Sequence, residues 1–216
     1  MVQDSGREMF RSPFSESVAK SEVAAAIRDV EQATSAEVVV AVRASAGMYR
    51  HTDYLVGFAF SFVALLVFLF HPWEFSIDWM PFDSLATFAI GTLASAWITP
   101  LRRWLTSSKL MSGNVKTAAR AAFVDLRVAT TTGRSGVLVF VSMFERRVDV
   151  VTDIGLDRRV LGPPFERAAA ALEKALSARD PLRAFAAALR ALGPILGVVY
   201  PHRVDDVNEL PDEPQG

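Results

Sequence analysis

Apolar positions along the chain change period several times, and each change predicts a different element. Val23, Ile27, Val30 and Thr34 recur at helical spacing within Val18–Thr34, and Ser17 stands where an N-cap is needed, so this stretch predicts an amphipathic helix. The run Glu37–Val42 (EVVVAV) is β-branched and continuous, the pattern of a short strand covered on both faces. Beyond residue 110, Asn114 predicts the cap of a helix reaching Ala129, with Val115, Ala118, Ala119, Ala122, Phe123 and Leu126 on its apolar side. A Thr- and Gly-rich turn then leads into Val137–Ser142 (VLVFVS), the best central strand. Arg147–Thr152 alternates Val148, Val150 and Thr152 with Arg147, Asp149 and Val151, and the short connection predicts an antiparallel hairpin. Pro164 opens a helix through Ser177, and Asp180–Pro181 caps and opens another through Leu192. Ile195–Tyr200 is too short to span a membrane and is expected to pack on the domain. This order implies an α/β sheet with helices on its faces.

Between these parts the period disappears. Tyr54–Phe70 (YLVGFAFSFVALLVFLF) carries no charge, amide or Pro over 17 residues, about 25 Å as a helix against a hydrocarbon layer of roughly 30 Å. A second apolar segment, Met80–Ile98, confines Pro81 and Asp83 to its first turn and completes a hairpin. Trp73 and Trp79 fall in the connecting loop, and Trp97, Trp104, Tyr49 and Tyr54 fall at the opposite ends, the headgroup levels that such rings favour. Gly57 and Ser61 are expected level with Ser95 and Gly91, bringing two small-residue faces together. The loop His71–Asp83 has no Lys or Arg, whereas the other flanks carry Arg43, Arg50, Arg102, Arg103 and Lys109. The positive-inside rule therefore puts residues 71–83 in the periplasm and both termini in the cytoplasm, the chain sitting in the inner membrane. The opening MVQDSGREMFRSPFSES has no apolar core of a cleavable signal, so the first span is expected to act as its own insertion signal.

One helix and one strand before residue 50 cannot bury a core alone, so residues 1–50 and 101–200 are expected to form one discontinuous soluble domain, with 54–98 the transmembrane hairpin. Asp205, Asp206, Glu209, Asp212 and Glu213 make residues 201–216 an acidic tail, read as disordered. Composition narrows function by exclusion. The 23 basic residues are matched by 24 acidic ones, leaving no overall positive field for nucleic acid. With no Cys there is no thiol nucleophile, thiolate metal site or disulfide. His51, His71 and His202 are too far apart in sequence pattern to suggest one site, and no phosphate-binding glycine loop is present.

Open α/β sheets place ligands beyond the carboxyl ends of their strands, which selects Ser142 and Glu145 after the central strand, Arg146 in the turn and Asp153 after the next strand as candidate catalytic residues. Glu145 and Asp153 are the candidate metal ligands; Arg134 and Glu37 stand at strand starts, a weaker position. A Glu145–Arg146 turn salt bridge and an Asp153–Gly155 tight turn would account for the same residues without a ligand.

Several separated blocks, in order, resemble the TPM domain family, in particular its bacterial membrane proteins in which a transmembrane hairpin interrupts the domain. They are Ile27–Arg28–Asp29–Val30–Glu31 with Thr34, Glu37–Val38–Val39–Val40, Met111 to Phe123, Thr132–Gly133–Arg134–Ser135–Gly136–Val137–Leu138 through Ser142, Glu145–Arg146 and Asp153–Ile154–Gly155, together spanning most of residues 18–160. The resemblance implies a layered α/β/α domain with a short mixed sheet. Relatives have been connected with photosystem repair, weak phosphatase activity and receptor modulation. Two functions follow as expectations. One is a membrane-tethered interaction module whose partners are the lipid bilayer and a membrane or envelope protein, with no cofactor. The other is a metal-dependent, phosphatase-like hydrolase in which Glu145 and Asp153 hold a divalent cation, calcium or magnesium, and Arg146 a phosphate.

Overall fold

The computed structural model describes residues 17–70, 77–131 and 133–202 together with Leu210, Pro214 and Gln215. Two compact units divide the chain: residues 1–46 with 112–216, and residues 47–111.

The first unit is mixed α/β. Its sheet has three strands in the order β1 (Val38–Arg43), β2 (Val137–Ser142), β3 (Arg147–Thr152). β1 runs parallel to β2 with Val38 opposite Val137 and Arg43 opposite Ser142; β3 runs antiparallel to β2, Val137 opposite Thr152 and Ser142 opposite Arg147. All six residues of β2 are buried, as a central strand covered on both faces requires. Side-chain alternation sorts the core into two halves. Val38, Val40, Val137, Val139, Val141 and Val150 join the apolar faces of α1 (Ser17–Glu31), α6 (Arg158–Ala175), α7 (Pro181–Arg190) and α8 (Leu192–Val199). Val39, Ala41, Leu138 and Phe140 point the other way, into Val115, Ala119, Ala122 and Phe123 of α5 (Ser108–Asp125). Helices therefore cover both faces.

Several boundaries differ from those read in the sequence. Asn114 lies inside α5, which starts at Ser108, so it caps nothing. α6 begins at Arg158, capped by the Asp157 carboxylate accepting from Arg159 N, and breaks at Gly162 (φ +64°), the residue that admits Pro163 and Pro164. Asp180 does cap its helix, its Oδ1 accepting from Arg183 N at 3.3 Å. The acidic residues of the expected disordered tail lie outside the described residues. Gln215, however, is ordered against the free edge of β1: Val42 N donates to its carbonyl and its own N–H donates to Val40 O, both at 2.8 Å. Leu210 packs against the α5 side of the core. The outer edge of β1 offers the backbone groups that Gln215 meets.

The second unit holds α2 (Arg50–Phe70), a 3-10 turn at Ile77–Trp79, α3 (Met80–Trp97) and α4 (Thr99–Leu105); α5 begins in it and continues into the first unit. α2 and α3 pack along their length. Their small faces meet, but one helical turn out of the expected register: Gly57 opposes Gly91 rather than Ser95, and a Cβ on Gly91 would lie 3.0 Å from the Gly57 Cα and 2.8 Å from the Phe60 Cβ. Ser95 instead donates to Asp53 (3.0 Å) and Ser61 to the Ser84 carbonyl (2.9 Å). Asp53, buried in the first turn of α2, also meets Arg102 at 3.1 Å, so the polar contacts of Ser95 and Arg102 converge on it in this register. Among the described residues, two helices are long and apolar enough to cross a membrane, Arg50–Phe70 and the run Pro181–Val199. The latter places Phe185, Leu189, Leu192 and Leu196 fully inside the first unit's core, where they cannot also face lipid. α3 and α4 together meet the same criterion but are bent by 98°.

Candidate functional site

The antiparallel hairpin decides which candidate residues can act together. Ser142 ends β2 and Asp153 follows β3, so they stand at opposite ends of the sheet, on the order of 20 Å apart over six paired residues. The expectation that Glu145 and Asp153 hold one cation fails on that ground. Ser142 and Glu145 do come together, as do Asp153 and Arg134, giving two separate clusters.

At the carboxyl ends of β1 and β2, the backbone pairing continues past the strands: Met143 N donates to Arg43 O (3.0 Å) and Phe144 N to Ala44 O (2.9 Å). This holds the segment after β1 against the turn after β2. Glu145 sits in the join, buried. One of its oxygens accepts from the Ser142 hydroxyl, itself wholly buried, and the other from Ala46 N at 3.0 Å and the Ser45 hydroxyl at 3.3 Å. The carboxylate ties two segments a hundred residues apart. Arg146 follows with φ +51°, a left-handed position that closes the turn.

At the opposite end, Asp153 is buried with one oxygen accepting from Ile154 N (2.7 Å) and the other 3.7 Å from the Arg134 guanidinium, which also donates to Ala129 O (2.6 Å). Leu156 N bonds the Asp153 carbonyl, completing the tight turn over Asp153–Gly155. Gly155 touches the Arg134 carbonyl so closely that a Cβ would collide with it, and the Tyr200 hydroxyl donates to the Gly155 carbonyl. Glu37, buried at the start of β1, shares this end, its carbonyl accepting from Val137 N at 2.7 Å.

A third locus carries no signal strong enough to read from sequence. An open groove of about 480 Å³ runs between the free edge of β3 and α6, lined by Arg146, Asp149, Arg158, Glu166, Glu173 and Lys174, among others. Two of its residues occupy the edge: Arg158 donates to Val150 O (3.1 Å) and Val148 N donates to Glu173 (3.4 Å). Arg158 also holds Glu166 with two bonds of 3.1 and 2.9 Å. Burial pushes the Asp149 carboxyl above its ordinary range; Lys116, Arg158 and Arg120 pull it back in part, while Glu173 adds to the rise. Among the described residues, no three His, Asp or Glu side chains converge as a cation site would need.

No family model matches the chain and no curated protein matches it. Among solved structures, the BA42 protein from the psychrophilic bacterium Bizionia argentinensis is similar in fold. It has a TM-score of 0.58 over 95% of this chain and 97% of that chain, at 16% identity. At that identity the likeness concerns architecture alone.

Proposed function

We propose that the protein is an integral membrane protein of two spans, α2 and α3, that presents a TPM-like layered α/β/α domain as a tethered interaction module. One observation carries the membrane half of this reading. α2 and α3 leave Leu55, Phe58, Phe62, Val63, Leu69, Ile90 and Leu93 each more than half exposed on two packed helices, an apolar girdle too large for a water-soluble surface, while the α/β unit gathers most of its apolar residues in two clusters and exposes only scattered ones such as Val124 and Ile154. The interaction half is supported by what the candidate catalytic residues do. Glu145 and Asp153 are each engaged in local bonding that joins chain segments, and they stand too far apart to share a metal-bound substrate. The charge asymmetry of the flanks puts the domain and both termini in the cytoplasm, and residues 71–83 outside the inner membrane.

Because the chain has no Cys, single-cysteine probes need no altered background. With Ser76→Cys, an impermeant maleimide should label intact cells; with Ser112→Cys it should label only after permeabilisation. The reverse pattern refutes the orientation, and labelling of both in intact cells refutes the two-span reading.

A further inference from the structure

The break between α3 and α4 is sharp and fixed. Ile98 leaves helical geometry (φ −91°, ψ +79°), Pro100 within the first turn of α4 cannot donate to α3, and the two axes meet at 98°. The elbow is bolted to the start of α2 from the inside. Arg102 pairs with Asp53, Thr106 Oγ1 lies 3.1 Å from Thr52 Oγ1, and Thr106 bonds back to the Arg102 carbonyl at 2.7 Å. Thr52, Asp53, Ser95 and Thr106 are all buried. The other face of α4 is apolar: Leu101, Trp104 and Leu105 share one stripe at i, i+3 and i+4, Leu101 half-buried and Trp104 and Leu105 open, with Trp104 81% and Trp97 71% exposed.

Eighteen residues of α3 give about 27 Å, close to the depth of the hydrocarbon layer. Continuing the span into α4 would draw Arg102 and Arg103 into lipid, which is costly. A helix at a right angle to a spanning one runs along the membrane surface instead. We infer that α4 is an in-plane interfacial helix, docked on the headgroup layer of the bilayer by Trp104 and Leu105 and held at that angle by the Asp53–Arg102 pair. This rests on α2 and α3 spanning the membrane. Arg50 and Lys109, exposed at the same end of the unit, suit the phosphate level.

The experiment uses the full chain in phosphatidylcholine liposomes, with Trp73, Trp79 and Trp97 replaced by Phe so that Trp104 reports alone. Lipids brominated near the headgroup should quench its emission about twofold more than lipids brominated at mid-chain, as a helix lying at the headgroup–acyl boundary requires, and aqueous iodide should quench it weakly. Asp53→Asn should release the elbow, removing the shallow preference and admitting iodide. A separate Trp-free chain carrying Phe62→Trp reads the span itself, and mid-chain bromines should quench it most. If that control passes while Trp104 is quenched by iodide and by neither lipid, α4 does not lie on the membrane and the inference is wrong. If Trp104 is shielded from all three quenchers, protein covers it and the inference is equally overturned. If the control fails, the spanning reading itself falls, and α4 with it.

Discussion

Replacing Glu145 with Ala separates a structural carboxylate from a ligand-binding one. In the folded chain it accepts hydrogen bonds from Ser142, Ala46 and Ser45. Ser142 is completely buried, so its hydroxyl is left with no water to replace the lost acceptor, which costs about 1–3 kcal/mol. Ala46 is half-buried and its N–H regains water, so about 0.5–1.5 kcal/mol goes there, and exposed Ser45 adds little. The expected loss is about 2–4 kcal/mol, or a fall in Tm of about 5–12 °C for a domain of this size. Thermal unfolding in detergent gives the shift. Ser142→Ala in the same background should cost less than it does alone, with a coupling of about 1–2 kcal/mol between the two sites. A Glu145→Ala protein melting within about 1 °C of the parent would mean the carboxylate is not engaged in holding the segments together and is available to a ligand, and the structural account of this end of the sheet would be wrong.

Asp149→Asn tests the groove beside β3. A carboxyl raised in the folded state favours the protonated form there, so its contribution to stability is present at low pH and declines as pH rises from the ordinary Asp value through the raised one. Relative to the parent, the Asn variant should therefore gain stability over that window and hold the gain at neutral pH; equal pH profiles in urea titrations would show that burial is not what governs this group. At the helix hairpin, Gly57→Leu forces a side chain against the Phe88 carbonyl, which even a Cβ would approach to 2.7 Å. Cross-linking between cysteines placed on α2 and α3 should drop several-fold, and unchanged cross-linking would rule out the close approach. Calcium or magnesium should leave the melting of Asp153→Ala shifted by the same amount as that of the parent, since among the described residues no further carboxylate or imidazole pair joins Asp153 to complete a cation site. A metal-induced rise present only in the parent would restore Asp153 as a ligand. Gln215→Pro deletes the N–H that reaches Val40 O, and hydrogen exchange at the Val42 amide should accelerate; an unchanged rate would refute the pairing of that segment with β1.

What was legible in the sequence were features carried by neighbours in the chain. The uninterrupted valines of β1 and β2, the alternation of β3 and the apolar length of α2 each declare themselves within a few residues. Thus VLVFVS is the buried central strand, and Val148 and Val150 do face the α6 side of the core. Features made by partners distant in sequence were hidden. Nothing local to Asp53 says that Arg102 will meet it across the hairpin, in a register one turn from the expected one. The candidate residues show the same divide. Position at or after a strand end selected Ser142, Glu145 and Asp153 as candidate site residues, but treated the two turns as one end of the sheet. Antiparallel pairing, itself implied by the short Met143–Arg146 connection, was enough to separate them. Glu145 meeting Ala46 could not be read at all, because the bond crosses the whole hairpin insertion.

The parallel pairing of β1 with β2 also sets a timetable for biogenesis. A ribosome makes about 5–20 residues per second, so the VVVAV run waits roughly 5–20 s for the roughly hundred residues that precede its partner. During that interval all of α2 and α3 is made while an aggregation-prone segment stands without its partner strand. Its outer neighbour, Gln215, is made later still. Slowing elongation just after codon 100 would lengthen this exposure without altering a single contact in the finished molecule, and a holdase acting on residues 38–43 would shorten its consequences.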